Sequence, residues 1–436
     1  MTRPSLRRVV SRWEIVGLAV NDVIGSGVYL LPAAAAALLG PASLWAVLLA
    51  GGAVALLVLC FAEAASYFDE PGSGYLYTRE AFGDFIGFEV GWMTWLARVA
   101  SVASLSNGFA QALGFLWPDA TQGATRVVVI GVPLGLLTWI NVVGVKSGAR
   151  TAVVLSITKV LPLLFLIVVG LPAIDLDRIL PAPLPPTGAL GEAALLLLFA
   201  YAGFENTAAA AGEYKNPRRD VPFALLTMIA LVTALYFLVQ LVALGTVPDL
   251  AAKTEGAPLA NAAMILVGAW AGVLMTVGAA ISIEGNVGNT TLMGPRYLFA
   301  LAEDGFGPRA LARVHPRWRT PYLAIVTQST VALALALSGS FVQLAMLSIV
   351  ARLATYMGTA AAVPILRRKF GREQPGFRLP GGPVIPIAAF ALCLVFLLSA
   401  TLWNLVAGGI ALVLGLVLWT TRRPPIPDSA VPPADG

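Results

Sequence analysis

The stretch Ile24-Gly25-Ser26-Gly27-Val28 lies in the middle of an apolar run that extends over residues 15–39. The run is about as long as a helix that crosses a bilayer. Two glycines and a serine at that depth, followed by Pro32, allow the helix to open and leave backbone amides and carbonyls without intrahelical partners. Non-helical backbone is tolerated at membrane depth only inside the protein or beside a cavity. The stretch therefore predicts a first transmembrane helix that is broken near its middle.

A second stretch of this kind, Phe199-Ala200-Tyr201-Ala202-Gly203-Phe204-Glu205, lies at similar depth in the sixth apolar run. Breaks in corresponding spans of two halves are the best sequence indication of a substrate site in a transporter with inverted repeats. Five spans per half is an odd number, which requires inverted halves. Amides at the start of the second half-helix favour a carboxylate, and carbonyls at the end of the first favour an ammonium. The competing interpretation is that both stretches are simple packing kinks.

The composition places the chain in a membrane. Its 436 residues are 58% apolar and 12% charged, with a mean hydropathy of +0.83, which predicts an integral membrane protein rather than several soluble domains. One histidine and two cysteines, Cys60 and Cys393, predict no metal cluster, no disulfide framework and no cofactor. The net charge of +5 comes from short basic clusters between apolar runs, which are topology signals, so no nucleic-acid partner is expected.

Apolar runs of about 20 residues predict an all-α membrane protein with about twelve transmembrane helices. A cleaved secretory signal is rejected because the first run is too long for a signal core. Lys and Arg residues outside the spans fall almost entirely on the side of the N-terminus, which predicts that both termini are cytoplasmic. The predicted spans are residues 15–39, 43–66, 85–116, 124–144, 150–171, 189–212, 221–246, 262–301, 321–338, 342–366, 384–401 and 404–420.

The spans predict a division of the chain with no folded soluble domain. The predicted parts are a cytoplasmic N-terminus (1–14), a first five-helix repeat (15–171), an outside loop (172–188), a second, inverted five-helix repeat (189–366), two additional helices (384–420) and a cytoplasmic tail (421–436). Any function must therefore reside within the helix bundle.

Three motifs in order resemble the amino acid-polyamine-organocation (APC) permeases. The first is Gly25-Ser26-Gly27-Val28-Tyr29-Leu30-Leu31-Pro32, and the second is Glu63 with the segment 71–83. The third runs from Gly203-Phe204-Glu205 through the segment 213–222. The resemblance spans nearly the whole chain, and the three motifs together are specific. It implies a LeuT-like fold of two inverted five-helix repeats plus two C-terminal helices, with a substrate held at the unwound middles of helices 1 and 6.

The resemblance also implies a set of substrate-binding residues around the glycines of the two breaks. The carboxylate of the substrate would bind amides of the first break, namely Ser26, Gly27 and Val28. The amine would bind carbonyls on both breaks, namely Val23, Ile24, Phe199 and Ala202. Candidate lid aromatics are Phe199, Tyr201 and Phe204, for which plain packing is the alternative. Phe199 stands where arginine-agmatine exchangers of the family carry a tryptophan, which weakens the case for a guanidinium substrate.

Ionisable residues inside spans are costly and indicate function. Lys159, nine residues beyond Arg150, lies roughly 13 Å into the bilayer and resembles a lysine that occupies the cation position in proton-coupled relatives. We interpret it as a coupling group, with a structural tether as the alternative. Asp22 is expected to pair with Lys159 or to cap a helix end, and Glu205 to face the site or its outer gate. A static charge network is predicted for Arg98, Glu284 and Arg352.

The sequence therefore predicts a secondary active transporter of amino acids in the cytoplasmic membrane, coupled to protons or working by exchange. A cationic amino acid or polyamine antiporter is the alternative substrate class. A channel or an accessory membrane subunit is the alternative from a different class. An enzyme is not expected, because the spans contain no histidine and no nucleophile paired with a base. The expected partners are a small-molecule substrate, protons and membrane lipids.

Overall fold

A computed structural model describes residues 10–68, 73–144, 149–180, 187–253, 256–371 and 377–421. Apart from one isolated bridge between Val10 and Tyr214, these residues form α-helices, short 3-10 helices and their connections. Residues 1–9 of the predicted N-terminus, 181–186 of the predicted outside loop, 71 and 72 of the second motif and 422–436 of the predicted tail lie outside the described residues.

The first predicted repeat contains seven α-helices. They are α1 (Arg12–Val23), α2 (Ser26–Leu39), α3 (Ser43–Ser66), α4 (Ser73–Phe82), α5 (Asp84–Leu113), α6 (Gly123–Val143) and α7 (Ala149–Gly170).

The remaining helices follow after the connection at residues 171–186. They are α8 (Thr187–Tyr201), α9 (Pro217–Thr246), α10 (Pro258–Val267), α11 (Ala269–Glu303), α12 (Tyr322–Ser338), α13 (Phe341–Phe370), α14 (Val384–Leu398) and α15 (Leu402–Thr420). Between α8 and α9 the chain forms a 3-10 helix over Phe204–Glu213.

The prediction of an all-helical protein with several apolar, membrane-length helices is confirmed. Within the described ranges, seven helical segments are long and apolar enough to cross a membrane, and four further apolar helices are shorter. Outer helices keep their apolar side chains on the surface, and in α15 only Gly415 is buried. Such a continuous apolar surface suits lipid rather than water. This is a multi-pass membrane protein.

Two local features differ from the predicted spans. The run 262–301 was expected to be one span, but it forms two helices because Gly268 takes φ +96°, a left-handed value that an L-residue rarely adopts. The connection after α3 carries the second motif and lies outside every predicted span, but it contains the short helix α4, which packs against α5 and α13. Both corrections arise from local backbone geometry that apolar run length does not report.

The packing brings the two predicted breaks together. Helix α5 packs against α11 and α13, α3 packs against α8 and α9, and α1 packs against α7 and α9. Helix α2 packs against α8, so the helices on either side of the two predicted breaks are neighbours in the bundle.

Candidate functional site

The first break separates α1 from α2. Helix α1 ends at Val23 and α2 begins at Ser26, with Gly25 at its N-cap. The N–H groups of Ser26, Gly27 and Val28 belong to the first turn of α2 and have no partner within the helix. A Cβ on Gly25 would collide with the amide group of Asn286 on α11, so this close packing requires glycine.

The second break lies directly against the first. Helix α8 ends at Tyr201, and Gly203 takes φ +125° before the 3-10 helix begins. A Cβ on Gly203 would lie 2.5 Å from the Asp22 carbonyl oxygen. A Cβ on Gly27 would lie 2.6 Å from the Ala200 Cα. The glycines therefore let the two broken helices approach each other through their backbones.

A small cavity of about 40 Å³ lies at this junction. One side is formed by the two breaks, and the opposite wall is formed by α5, α11 and α13. The residues contributed by the breaks and the 3-10 helix are Asp22, Val23, Gly25, Ser26, Gly27, Phe199, Ala200, Ala202, Gly203 and Asn206. The opposite wall consists of Arg98, Ser101, Leu105, Asn286, Asn289, Thr290 and Arg352.

Most of the carbonyls predicted to receive an amine already accept a hydrogen bond from the protein. The Tyr236 hydroxyl donates to the Val23 carbonyl at 3.2 Å and to the Ala200 carbonyl at 2.8 Å. The Ile24 carbonyl accepts from Ser282 Oγ at 3.2 Å, and the Phe199 carbonyl accepts from the Ala202 N–H at 3.2 Å. A carbonyl has two lone pairs, so Val23 and Phe199 retain one acceptor site each, whereas Ile24 also serves Lys159.

Lys159 lies behind the first break and is fully buried. Its ammonium donates to the Asn21 carbonyl at 3.1 Å, to the Ile24 carbonyl at 3.4 Å and to Asn286 Oδ1 at 2.8 Å. The lysine thus ties the carbonyl end of α1 to α7 and α11.

The predicted direct pairing of Asp22 with Lys159 is corrected by these contacts. Asn286 lies between them, since it accepts from Lys159 and its Nδ2 donates to the Asp22 carbonyl oxygen at 3.3 Å. The Asp22 carboxylate instead accepts from Asn289 Nδ2 at 2.6 Å and lines the cavity. The Asp22 carboxylate and the Lys159 ammonium therefore hydrogen-bond different asparagines of α11.

Glu205 lies on the 3-10 helix beyond the second break and forms an ion pair with Arg352 of α13. Its Oε2 accepts from the Gly203 N–H at 3.0 Å and from the Tyr356 hydroxyl at 3.4 Å. Ser73 of α4 donates to the Glu205 carbonyl at 2.6 Å. Glu205 lies beside the small cavity described above, because two of its partners, Gly203 and Arg352, line that cavity. Its role at the site or at an outer gate stays a prediction.

The described contacts do not join Arg98, Glu284 and Arg352 into one charge network, because the two arginines have different partners. Arg352 contacts Glu205 and donates to Ser101 Oγ at 2.7 Å, while Arg98 donates to Asn206 Oδ1 and lies 5.0 Å from the Tyr297 ring centre. Among the described contacts neither arginine reaches Glu284. Glu284 precedes Gly285 on α11, and Gly285 packs against Lys159 of α7. The two arginines lie on α5 and α13.

Of the three lid candidates, only Phe199 lines the cavity. Its ring contacts Phe341 edge-on, with 6.0 Å between ring centres. The Tyr201 ring lies 5.0 Å from Tyr236, and the Phe204 ring stacks on Tyr356 at 5.1 Å. Tyr201 and Phe204 are therefore packing residues of the two breaks, because the helix ends there and turns their rings toward α9 and α13.

A larger cavity of about 750 Å³ opens at the other end of the bundle, beyond Phe199. It lies among the ends of α2, α5 and α8 and the connection between α12 and α13, and we call it the vestibule. Phe341 lines the vestibule and Phe199 lines the small cavity, so their contact separates the two spaces. The vestibule also exposes polar groups, including Gln111, Arg126 and Glu192.

The opposite end of the bundle is closed by the N-terminal segment. The Lys215 N–H donates to the Val10 carbonyl at 3.1 Å. Arg12 pairs with Asp220 at 3.0 Å, and its guanidinium lies 4.7 Å above the Phe223 ring. These contacts hold the start of α1 against the start of α9.

Sequence reasoning missed the polar wall opposite the breaks. Asn286, Asn289 and Thr290 have the spacing of one helical face, and so do Arg98 and Ser101. Polar side chains at that spacing in an otherwise apolar run were the available signal. In the described part of the chain, no three His, Cys, Asp or Glu residues come together as a metal site.

Comparisons with known proteins place the sequence among membrane transporters. Residues 10–420 match the family described as amino acid permease. The methylthioribose transporter of Bacillus subtilis is 31% identical over 91% of this chain and 89% of its own. The branched-chain amino acid permease BcaP is 28% identical over 95% and 93%, and the serine/threonine exchanger SteT is 32% identical over 94% and 95%, both also from Bacillus subtilis.

Proposed function

We propose, from the premise that this chain belongs to the amino acid permease family within the APC permeases, that it is a secondary active transporter of amino acids in the cytoplasmic membrane. The full-length match to curated permeases supports transport. The substrate is proposed to bind between the two breaks, at the unwound middles of the first and sixth spans.

The observation that carries this proposal is the contact between the two breaks at a buried cavity. The first-turn amides of α2 at Ser26, Gly27 and Val28 have no helical partners there, and the helix dipole adds positive potential. A substrate carboxylate fits that position. The Asp22 carboxylate and the remaining acceptor sites of the Val23 and Phe199 carbonyls favour an ammonium on the same side.

The architecture proposed for this transporter has twelve spans in a LeuT-like arrangement, with both termini cytoplasmic. Two inverted repeats (15–171 and 189–366) would then be followed by α14 and α15. On that topology the vestibule opens outside, and the N-terminal segment with its Arg12–Asp220 pair closes the cytoplasmic side. Alternating access would require those contacts to break while the Phe199–Phe341 contact tightens.

Coupling is proposed to involve Lys159, whose ammonium binds the end of α1 without a direct carboxylate partner. Tilting of α1 would change those contacts, and a group must bind protons differently in two states to bias the equilibrium between them. Asp22 and Glu205 are the other ionisable candidates, since each lies at one of the two breaks. Proton symport and exchange both remain compatible with this arrangement.

Two alternatives make different predictions. A cationic amino acid or polyamine antiporter would bring positive charge into a cavity already lined by Arg98 and Arg352, which disfavours it. A channel or accessory subunit predicts transport without saturation or counterflow. The paired breaks favour a carrier.

Counterflow into proteoliposomes tests the proposal. Vesicles containing the purified protein are preloaded with one unlabelled compound, and entry of the same compound in labelled form is followed. The compounds are serine, threonine, the branched-chain amino acids and the sugar methylthioribose. A saturable overshoot with at least one amino acid is expected. Empty liposomes and a Gly203→Val variant serve as controls, and no overshoot with any amino acid would reject the function.

A further inference from the structure

We propose that Arg98 is a specificity-determining residue that selects substrates whose side chain carries an acceptor oxygen, with a carboxylate preferred over a carboxamide. The inference rests on the proposed function, because it assigns the polar wall opposite the breaks to the substrate side chain. It predicts the order aspartate, asparagine, leucine, ornithine from strongest to weakest binding.

The geometry of the cavity divides it into two parts. The breaks provide backbone amides and carbonyls, which suit the carboxylate and ammonium common to all amino acids. The wall formed by α5, α11 and α13 faces them, and Leu105 is its one apolar member among the described lining residues. A side chain that points away from the breaks therefore meets guanidinium, amide and hydroxyl groups. An apolar side chain would leave the Arg98 Nε–H, which has no partner within the protein, still unpaired, and that is costly in a buried site.

Arg98 and Arg352 each have an Nε without a hydrogen-bond partner, and of these two arginines Arg98 is the one without an ion pair among the described contacts. Its side chain is buried, with 2% of its surface exposed, and its Nε has no hydrogen-bond partner. One terminal nitrogen donates to Asn206 Oδ1, and the guanidinium carbon lies 5.0 Å from the Tyr297 ring centre. The Asp22 carboxylate of the same cavity attracts Arg98 but forms no ion pair with it among the described contacts, so the guanidinium has no direct carboxylate partner. A planar guanidinium with free donors matches a carboxylate.

Arg352 is nearby but differs in its contacts. It forms an ion pair with Glu205 and donates to Ser101 Oγ, so its charge is compensated within the protein. This contrast assigns the unmatched guanidinium of the cavity to Arg98.

The charges around the cavity add to the same conclusion. The ionisable groups at or directly behind it are Asp22, Arg98, Lys159, Glu205 and Arg352. Glu205 and Arg352 neutralise each other in their ion pair. With Lys159 in its ammonium form, the remaining groups are two cations, Arg98 and Lys159, and one carboxylate, Asp22. A zwitterion leaves that surplus unchanged, a cationic amino acid increases it, and an amino acid of net charge −1 removes it.

Competition binding to the purified full-length protein in lipid nanodiscs tests the inference. The probes are aspartate, asparagine, leucine and ornithine. Aspartate and asparagine have nearly the same shape, so their affinity ratio isolates the side-chain charge. The parent protein is expected to bind aspartate about tenfold more tightly than asparagine, the ratio for one charge-assisted contact. In Arg98→Gln the ratio should fall to about one or below.

Arg98→Lys keeps the charge but loses the planar fork, so it should retain a preference for aspartate that is smaller than that of the parent. Arg178→Gln removes an arginine of an exposed connection and should leave the ratio unchanged. If the parent binds asparagine or leucine as tightly as aspartate, the inference is overturned while the proposed function stands. If no amino acid binds, both fail. If Arg98→Gln does not fold, the aspartate-to-asparagine affinity ratios of the parent and of Arg98→Lys still test the inference.

Discussion

Removing the acid of the buried Glu205–Arg352 pair should destabilise the protein more than any other conservative change near the cavity. Glu205→Gln preserves shape and can still accept from the Gly203 N–H, but it leaves Arg352 buried without a counter-charge. The Arg352 side chain is 8% exposed and that of Glu205 3%, so water cannot screen the remaining charge. Loss of one partner of a buried pair costs about 3 to 5 kcal/mol.

The loss is measurable as a fall in the apparent Tm of the detergent-purified protein. For a large chain, each kcal/mol of lost stability lowers the Tm by about 2 °C, so Glu205→Gln should lower the apparent Tm by roughly 6 to 10 °C. Glu192→Gln makes the same chemical change at a half-buried vestibule position and should shift it by about 1 °C or less.

The double variant Glu205→Gln with Arg352→Gln separates pairing from local packing. It removes the uncompensated charge, so it should recover most of the stability that the single change loses. The reasoning is refuted if Glu205→Gln is as stable as the parent. It is also refuted if the loss in the double variant equals the sum of the two single losses, because the two side chains would then act independently.

Three further outcomes follow from the contacts at the first break. Lys159→Ala should abolish substrate accumulation driven by an inward proton gradient, while exchange persists. For one coupled proton, that accumulation is about tenfold per pH unit in the parent protein. If the variant accumulates substrate as strongly as the parent at all pH values, the lysine is a structural tether. Uptake should be unchanged when choline replaces sodium, because the Lys159 ammonium occupies the position of a cation, and a large saturable sodium stimulation would contradict this. Gly27→Ala should abolish substrate binding, since its Cβ would lie 2.6 Å from Ala200, whereas Gly52→Ala faces open space and should bind normally.

The helices were predictable from the sequence because apolar run length reports them directly. The second predicted span, 43–66, coincides with α3, and both glycine-containing breaks fall where the local sequence placed them. The division at Gly268 was not predictable in this way. A single glycine between apolar residues is also common in straight transmembrane helices, and its left-handed conformation depends on how α10 packs against α11.

The candidate site was predictable in part, for a similar reason. Backbone groups freed by a break are local, so Ser26 and Gly203 could be identified from their neighbours in sequence. The partner of a charge depends on helix packing, which the sequence does not give. Lys159 therefore meets Asn286 and two carbonyls rather than Asp22, and Glu205 rather than Glu284 is the acid bound to Arg352.

Protection of one introduced cysteine at the first break by substrate shows whether the substrate binds between the two breaks. Ser26 lines the cavity and its hydroxyl has no hydrogen-bond partner, while the two native cysteines are buried. In proteoliposomes, Ser26→Cys is treated with a small thiol reagent, with and without the amino acid that gives the strongest counterflow. Gln343→Cys in the vestibule is the control. The amino acid is expected to slow thiol modification at position 26, over the same range of concentrations at which it is transported. The modification rate at position 343 should not change. Equal modification rates at position 26 with and without a transported amino acid would contradict a substrate site between the two breaks.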